Sequence, residues 1–437
     1  MPHWKRNLIV LSFAQLVTMI GFSAFHPFVA YYMMDLGVPS YTEAMGWMAA
    51  FNSGSAIAMM IASPIWGTLA DRHGRRMMLI RATGAGCLFA FLMGIAQSPM
   101  QLVIVRVIQG MFSGTVAAAV TLVATETPEE YLGRSLGIMQ TSQFVGQSIG
   151  PLLGGAAADA LGYRNVFFMS ACLMLVSLIT IITLVRERAP RPAPVAKPAT
   201  PSPSRLKGGM LAAIADRNVM VLVATLAANS FAIAVLSPVL SLYIRDLVGD
   251  VPNLSTIAGA VMSVAAFTSS VSAVLLGRLA DRIGQRQILI ACVIGAALIH
   301  VPQALVTHPN QLLVLRGIQG IFMGGIMPTA NALLAYATPV ARRGAVFGFG
   351  HSAGAAGRAL GPTLGASVSS IWGMGSAFYV TAGVFGVMAA MVAALVRVAA
   401  PAEAEAEAEP SPAEPPAEPP VRRPVHEPVT HAEREEE

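Results

Sequence analysis

Twelve apolar runs, each about 20 residues or longer, constrain this chain more than any other feature of its sequence. In lipid, a segment must satisfy its own backbone hydrogen bonds, and a single segment achieves this only as a helix. The sequence therefore predicts an all-α integral membrane protein with twelve transmembrane helices. The predicted spans, numbered 1 to 12, cover residues 7–34, 44–70, 77–97, 100–125, 135–159, 165–185, 218–244, 255–280, 287–306, 311–337, 345–370 and 376–397.

Composition excludes a soluble protein, because charged residues make up only 12% of the chain, whereas soluble domains have about 25%. Span 1 is too long for a cleaved signal peptide and has no small-residue cleavage site, so we interpret it as a helix. All three cysteines fall inside predicted spans, which leaves none for a disulfide framework or a zinc site. We expect no metal and no cofactor.

The basic residues follow the topology of a membrane protein. The net charge of +5 does not arise from one basic patch, so nucleic-acid binding is not expected. Lys and Arg concentrate in the loops on one side of the predicted helices, while the other side receives only Arg164 and Arg245. By the positive-inside rule, both termini are predicted to be cytoplasmic, with the chain spanning the cell (inner or plasma) membrane several times.

Two segments are not predicted to cross the membrane. Residues 188–217 are rich in Pro, Ala and basic side chains and are predicted to form a cytoplasmic linker. Residues 399–437 are acidic, rich in Pro and free of core-forming residues, which predicts a disordered cytoplasmic tail. These segments flank two predicted six-helix bundles at 1–187 and 218–398.

The two bundles are copies of one pattern. The stretch "QLVIVRVIQGMFSG" at Gln101 recurs as "QLLVLRGIQGIFMG" at Gln311, and "GTLADRHGRR" at Gly67 recurs as "GRLADRIGQR" at Gly277, both at an offset of 210 residues. The chain is thus predicted to hold two six-helix pseudo-repeats. Parallel repeats of this kind are typical of one large class of secondary transporter, which we expect to act here as a monomer.

The duplicated loop between spans 2 and 3 is predicted to be a conformational latch on the inner side. Asp71 is placed to cap the next helix or to pair with Arg75, and Glu126 follows span 4 as a neighbouring acid. The alternative is a simple basic anchor for topology. The latch residues are Gly67, Asp71, Arg72, Gly74, Arg75, Arg76 and Glu126. Their counterparts in the second copy are Gly277, Asp281, Arg282 and Gly284.

Several polar side chains fall inside the spans, where an arginine costs at least about 2.5–3.5 kcal/mol and so needs protein, water or a counter-charge. Arg106 shares a helix face with Gln109 and Gly110, and Arg316 with Gln319 repeats this pattern. We interpret these residues as facing a central cavity; a structural hydrogen bond to a neighbouring carbonyl is the alternative. Further candidates for this cavity or for proton coupling are His26, Asp35, Gln143, Gln147 and Arg358.

Taken together, these motifs resemble the major facilitator superfamily, and within it the twelve-helix drug:proton antiporters of bacteria. "GTLADRHGRR" is similar to the family's loop 2–3 motif and "RVIQG" to its span 4 motif, in which the resemblance implies that Arg106 takes part in proton coupling. The glycines and proline of span 5 are similar to a motif that marks antiporters. Its residues here are Gly137, Gly146, Gly150, Pro151, Gly154 and Gly155.

The resemblance implies export of small amphipathic compounds, as in multidrug efflux, driven by protons. No Asp or Glu lies deep in a predicted span, so we expect the proton carrier to be Asp35 or His26, with Arg106 adjusting its proton affinity. The alternative function is a dedicated exporter of a sugar, siderophore or other neutral or anionic metabolite. An enzyme is not expected, since H-E-x-x-H, G-x-S-x-G and an intramembrane Asp pair are all absent.

Overall fold

Helices account for almost all of the residues that the computed structural model describes, which are 2–187, 216–338 and 343–396. Most of the predicted linker and the whole predicted tail lie outside this range. The described residues form fifteen α-helices and no strand. They are α1 (His3–Ser23), α2 (Val29–Asp35), α3 (Tyr41–His73), α4 (Arg75–Gly94), α5 (Pro99–Met111), α6 (Thr115–Glu126), α7 (Glu129–Leu161), α8 (Tyr163–Leu184), α9 (Arg217–Val235), α10 (Leu240–Val248), α11 (Leu254–Ile283), α12 (Gln285–Gln303), α13 (Pro309–Tyr336), α14 (Arg343–Trp372) and α15 (Ser376–Leu395).

Ten segments of the described chain are long and apolar enough to cross a membrane. They coincide with every predicted span except 5 and 11. Those two spans lie in α7 and α14, which have 33 and 30 residues and are therefore also long enough to cross. Their many glycines and polar residues lower their hydropathy.

Three predicted spans are interrupted rather than continuous. Span 1 divides into α1 and α2 around Pro27, and span 7 divides into α9 and α10 around Pro238, because proline has no N–H for the helical ladder. Span 4 divides at Gly114, whose φ of +125° is in the region that favours glycine. The sequence reading of spans 1, 4 and 7 as single helices was therefore wrong at these points.

The helices pair in the same way in residues 2–187, which we call the first half, and in residues 216–396, the second half. In the first half α1 packs on α7 and α8, α3 on α5, and α4 on α8. The corresponding pairs in the second half are α9 with α14 and α15, α11 with α13, and α12 with α15. The halves meet mainly where α3 packs on α14 and α7 on α11, and α2 also contacts α10.

The buried apolar side chains are clustered differently at the two ends of the bundle. We call the end at which α1 begins and α15 ends the terminal end, and the end at which α2 and α10 end the far end. At the far end one apolar cluster combines both halves, including Phe28 and Phe167 with Leu242 and Phe378. Toward the terminal end each half has a cluster of its own. The halves are thus joined at the far end.

Close packing is needed to hold the helices together, because lipid tails are as apolar as the side chains and provide no hydrophobic driving force for helix association. The contact of α7 with α1 depends on glycines. A Cβ added at Gly150 would overlap the hydroxyl of Ser23, and one added at Gly154 would overlap the carbonyl oxygen of Ala24. At Gly137, by contrast, no atom lies within 4 Å of such a Cβ.

We therefore expect Gly154→Ala to destabilise the protein, because its methyl group must push against the backbone of α1. Overpacking of this kind costs about 1–3 kcal/mol. The matched control is Gly137→Ala in the same helix, which gains helix propensity without a clash. Thermal unfolding in detergent measures both variants, and equal unfolding midpoints would contradict the assignment of Gly154 to a tight contact.

Candidate functional site

Arg106 is buried in the first half among aromatic rings. Its guanidinium carbon lies 4.8 Å from the ring centre of Phe22, 5.3 Å from that of Phe25 and 5.0 Å from that of Phe51. Its Nη1 donates to Oε1 of Gln109 over 2.6 Å. Cation–π contacts and one amide thus surround the charge. Among the described side chains, no acid lies within 4.0 Å of it.

Arg316 occupies the same position in the second half. Its Nη1 donates to Oε1 of Gln319 over 2.9 Å, and the ring centre of Phe378 is 6.0 Å from its guanidinium carbon. Gln303 also donates to Oε1 of Gln319, over 3.2 Å. The structure therefore brings each predicted Arg–Gln pair into direct contact, and Gly110 packs against the backbone of Ser55.

His26 belongs to the surroundings of Arg106. It follows α1 at the interruption of span 1, and its ring stacks on Phe25 at 5.1 Å. Asp35, the other candidate proton carrier, lies exposed where α2 ends at the far end. The two candidates therefore lie at different depths in the membrane. Of the two, His26 is the one connected to Arg106, through the rings of Phe22 and Phe25.

The remaining predicted cavity residues do not form one continuous stripe. Gln143 is buried in α7, whereas Gln147, one turn later, is exposed. Arg358 is exposed on α14 and reaches the hydroxyl of Ser230 at 3.5 Å. Of these three side chains, Gln143 alone lies in the interior.

The loop between α3 and α4 turns at Gly74, which has a φ of +87°. Glu187, just after α8, accepts hydrogen bonds from the backbone N–H groups of Arg75 and Arg76, both over 3.0 Å. A carboxylate at a helix N-terminus is favourable because it satisfies free N–H groups. Sequence reasoning missed Glu187, although it is an acid placed directly after span 6.

The other latch residues have separate surroundings. Glu126 accepts from the amide of Asn7 and lies 3.9 Å from His3. The side chains of Asp71 and Arg72 lie outside the described part of the chain, and a Cβ added at Gly67 would meet no described atom within 4 Å. The latch therefore remains a prediction.

The second copy of the loop repeats one contact. Arg286 donates to the carbonyl of Ala393 over 2.7 Å, as Arg76 does to that of Ile182 over the same distance. Gly284 turns with a φ of +116°, and Asp281 accepts from Gln285 over 2.9 Å. Of the other two predicted residues, Gly277 lies in open surroundings and Arg282 in the last turn of α11.

At the far end, Asp159 of the first half caps a helix of the second half. Its Oδ1 accepts from the N–H of Ser255 over 3.1 Å. Its Oδ2 accepts from the N–H and the hydroxyl of Thr256, over 2.7 and 2.6 Å. These N–H groups begin α11, so the carboxylate replaces a cap from that helix's own chain segment. Sequence reasoning missed Asp159, which directly follows the glycine motif of span 5.

Glycines allow α7 and α11 to approach at the same place. A Cβ added at Gly155 would overlap the carbonyl of Ser255, and one added at Gly259 would overlap the carbonyl of Pro151. In addition, the N–H of Leu152 donates to the hydroxyl of Ser263 over 3.0 Å. The span 5 motif thus has two faces, one against α1 and one against the second half.

Two further contacts join the halves at the far end. The hydroxyl of Tyr31 donates to the carbonyl of Ser241 over 2.5 Å, and Nη1 of Arg245 lies 3.1 Å from the sulfur of Met34. Nε of Arg245 also donates to Asp250 over 2.6 Å, and this hydrogen bond lowers the pKa of the exposed Asp250 carboxyl.

A two-half bundle with buried arginines and contacts concentrated at one end suits a transporter.

Comparison with known proteins decides the family. The family model described as "Major Facilitator Superfamily" matches residues 11–251 and 222–431. The chain belongs to this superfamily. Among its relatives is the multidrug resistance protein MdtG of Klebsiella pneumoniae (strain 342), 35% identical over 382 residues, which cover 87% of this chain and 91% of the relative. MdtG of Enterobacter lignolyticus (strain SCF1) is 36% identical over 384 residues, 87% of this chain and 90% of the relative.

Solved structures agree on the major facilitator fold. A bacterial homologue of the human lysosomal transporter Spinster, in an inward-facing and occupied conformation, aligns with a TM-score of 0.73 at 15% identity, over 90% of this chain and 96% of that one. A D-xylose–proton symporter aligns with a TM-score of 0.70 at 16% identity, over 91% and 98%. At these identities the likeness concerns the fold alone.

Membership in the superfamily confirms several predictions. The chain is an all-α, multi-pass membrane protein of the major facilitator fold, and it is a secondary transporter of small molecules rather than an enzyme. The recognised family was therefore correct. The number of twelve spans rests on ten directly identified segments together with α7 and α14.

We expect Asp159→Ala to weaken the far-end contact, because three donors of α11 lose their shared acceptor. Loss of a helix cap costs about 0.5–2 kcal/mol, which lowers the thermal unfolding midpoint in detergent. Asp246→Ala is the matched control, since it removes an exposed acid of α10 at the same end. If both variants unfold at the wild-type temperature, Asp159 does not contribute as a cap.

Proposed function

We propose that this transporter exports small amphipathic compounds in exchange for protons, by alternating access as its two halves rock against each other. The observation that carries the proposal is the joining of the halves at the far end by one shared apolar cluster, while each half keeps its own cluster toward the terminal end. The two relatives that are 35% and 36% identical are named multidrug resistance proteins, which supports this class of cargo.

The proposal places the protein in the cell (inner) membrane with both termini in the cytoplasm. Its support is the concentration of basic residues, including Arg6, Arg76 and Arg286, at the terminal end. On this reading the far end faces outward and is closed in the structure. The units are the six-helix bundles at 1–187 and 218–398, the linker at 188–217 and the tail at 399–437, acting as a monomer.

Proton coupling is assigned to the surroundings of Arg106. His26 is the favoured carrier, because its ring stacks on Phe25, which also contacts the Arg106 guanidinium. The position of the His26 ring is therefore linked to that of the Arg106 guanidinium through Phe22 and Phe25. Asp35 is the second candidate carrier, at the far end of span 1.

The alternative cargo is a neutral or anionic metabolite such as a sugar or siderophore. The specific observation in its favour is that Arg106 and Arg316 have no acidic partner within 4.0 Å among the described residues. A cationic cargo prefers a buried anion, which these sites do not offer. Uptake of cationic, neutral and acidic compounds into inverted vesicles, compared in one panel, distinguishes the two classes.

In proteoliposomes with an imposed pH gradient, we expect active transport of an amphipathic dye that a protonophore abolishes. His26→Gln or Asp35→Asn is expected to lower the rate of gradient-driven transport at least tenfold, which corresponds to about 1.4 kcal/mol in activation free energy. Exchange of labelled for unlabelled dye without a gradient is the control, because it needs binding but no proton. Full gradient-driven transport in both variants would contradict the assignment of His26 and Asp35 as proton carriers.

Asp71→Asn tests the proposed latch between spans 2 and 3. A latch acts on the rate of conformational change, so we expect slower transport of every compound in the panel by a similar factor, with the order of preference unchanged. Arg134→Gln, in the first turns of α7 at the terminal end, is the matched control for a general effect of charge. A changed order of preference would instead place Asp71 in contact with cargo.

A further inference from the structure

A small cavity lies inside the first half, next to the interruption between α5 and α6. Its volume is about 40 Å³, and its walls come from six helices, with Thr83, Arg106, Gln109, Ser113 and Thr115 among the polar residues. A water molecule needs roughly 10–15 Å³ of cavity volume, so the space fits a monatomic anion or about three water molecules. It is too small for a drug-sized compound.

Three residues of the cavity wall carry hydrogen-bond donors that have no partner among the described residues. Nε of Arg106, Nε2 of Gln109 and the hydroxyl of Thr83 are all buried and have no partner among the described residues. The amide oxygen of Gln109 is already taken by Nη1 of Arg106, so its NH₂ group remains to donate. Each unsatisfied buried donor costs about 1–3 kcal/mol, and a charged one more.

The electrostatic surroundings of the cavity are positive. None of the described residues that line it is acidic, and Arg106 itself is only 6% exposed. Thr115 is the first residue of α6, a helix of 12 residues whose N-terminus has no side-chain cap. Free N–H groups at a helix N-terminus favour an anion.

Arg81 adds a second positive charge beside the cavity. Its Nη2 donates to the carbonyl of Ser113 over 3.3 Å, while its guanidinium carbon lies 3.5 Å from the ring centre of Trp66. Its Nε and Nη1 are buried and have no partner among the described residues. Arg106 and the N-terminus of α6 thus line the cavity, and Arg81 contacts it through the backbone of Ser113.

We propose that this cavity binds a monovalent anion of chloride size as the counter-ion of Arg106. The anion accepts from Nε of Arg106, the NH₂ of Gln109 and the hydroxyl of Thr83, and it takes the place of the carboxylate that the spans lack. Binding therefore stabilises the first half, independently of which compound the protein exports.

The internal repeat supports a specific site, because the second half has lost its polar walls. At the offset of 210 residues, Thr83 corresponds to Val293, Ser113 to Met323 and Arg81 to Ala291. The second-half arginine instead shares its glutamine partner with Gln303 of α12. The chain itself thus provides the substitutions that should remove the site.

The experiment measures thermal unfolding of the purified full-length protein in detergent at constant ionic strength and cation, with sodium gluconate replaced stepwise by sodium chloride or sodium bromide. We expect a saturable rise of the midpoint with chloride and bromide, because a ligand that binds only the folded state stabilises it. Gluconate is too large for the cavity. Thr83→Val and Ser113→Met are each expected to weaken the apparent chloride affinity at least tenfold.

Thr329→Val is the matched control, because it removes a buried threonine hydroxyl from the second half, where Thr329 donates to the carbonyl of Gly325 over 2.6 Å. Its chloride response should equal that of the wild type. Equal midpoints in chloride and gluconate for the wild type would overturn the proposal in favour of water alone. So would a chloride response that persists unchanged in both Thr83→Val and Ser113→Met.

If these two variants do not fold, crystals of the wild type soaked in bromide decide the question by anomalous scattering. A bromide peak between Arg106 and Thr83 supports the site, and its absence from the cavity overturns it. Neither measurement uses a transported compound or a pH gradient. A failure of the anion site is therefore distinguishable from a failure of the proposed export function.

Discussion

Backbone hydrogen bonds have no water to replace them inside a bilayer, and the whole structure depends on this constraint. It makes every crossing segment helical and makes each interruption of a helix costly. The three interruptions, around Pro27, Gly114 and Pro238, are therefore informative. The first lies beside His26 and the second beside the cavity of Arg106, so the irregular backbone coincides with the residues to which we assign chemistry.

The two halves are related by a repeat, but the contacts between them are not symmetric. α7 approaches α11 through glycines and through the carboxylate of Asp159, which satisfies the first N–H groups of α11. A second contact, α3 with α14, includes a hydrogen bond of 3.2 Å between the hydroxyls of Ser53 and Thr363. A charged cap from one half on the other provides a contact that can form and break as a unit, which is what the proposed alternating-access mechanism requires at this end.

Buried charge is the second theme of this molecule. Arg106 and Arg316 each lie next to a glutamine and aromatic rings, whereas an isolated charge in an apolar interior is strongly unfavourable. In the second half, Gln303 extends the polar group with a side chain. In the first half, a small cavity with polar walls lies beside Arg106, and on this difference we base the proposal that the two arginines have separate roles.

The sequence by itself determined the membrane class, the repeat, the family and the positions of nearly all helices, because hydropathy and motif spacing are local properties that each segment carries alone. It also located both Arg–Gln pairs, since residues three apart share a helix face. Only the tertiary structure decided that Glu187 caps α4, that Asp159 caps α11, and that Thr83 and Arg106 line one cavity. These partners lie on different helices, and the way in which helices turn toward one another depends on close packing that no single segment contains.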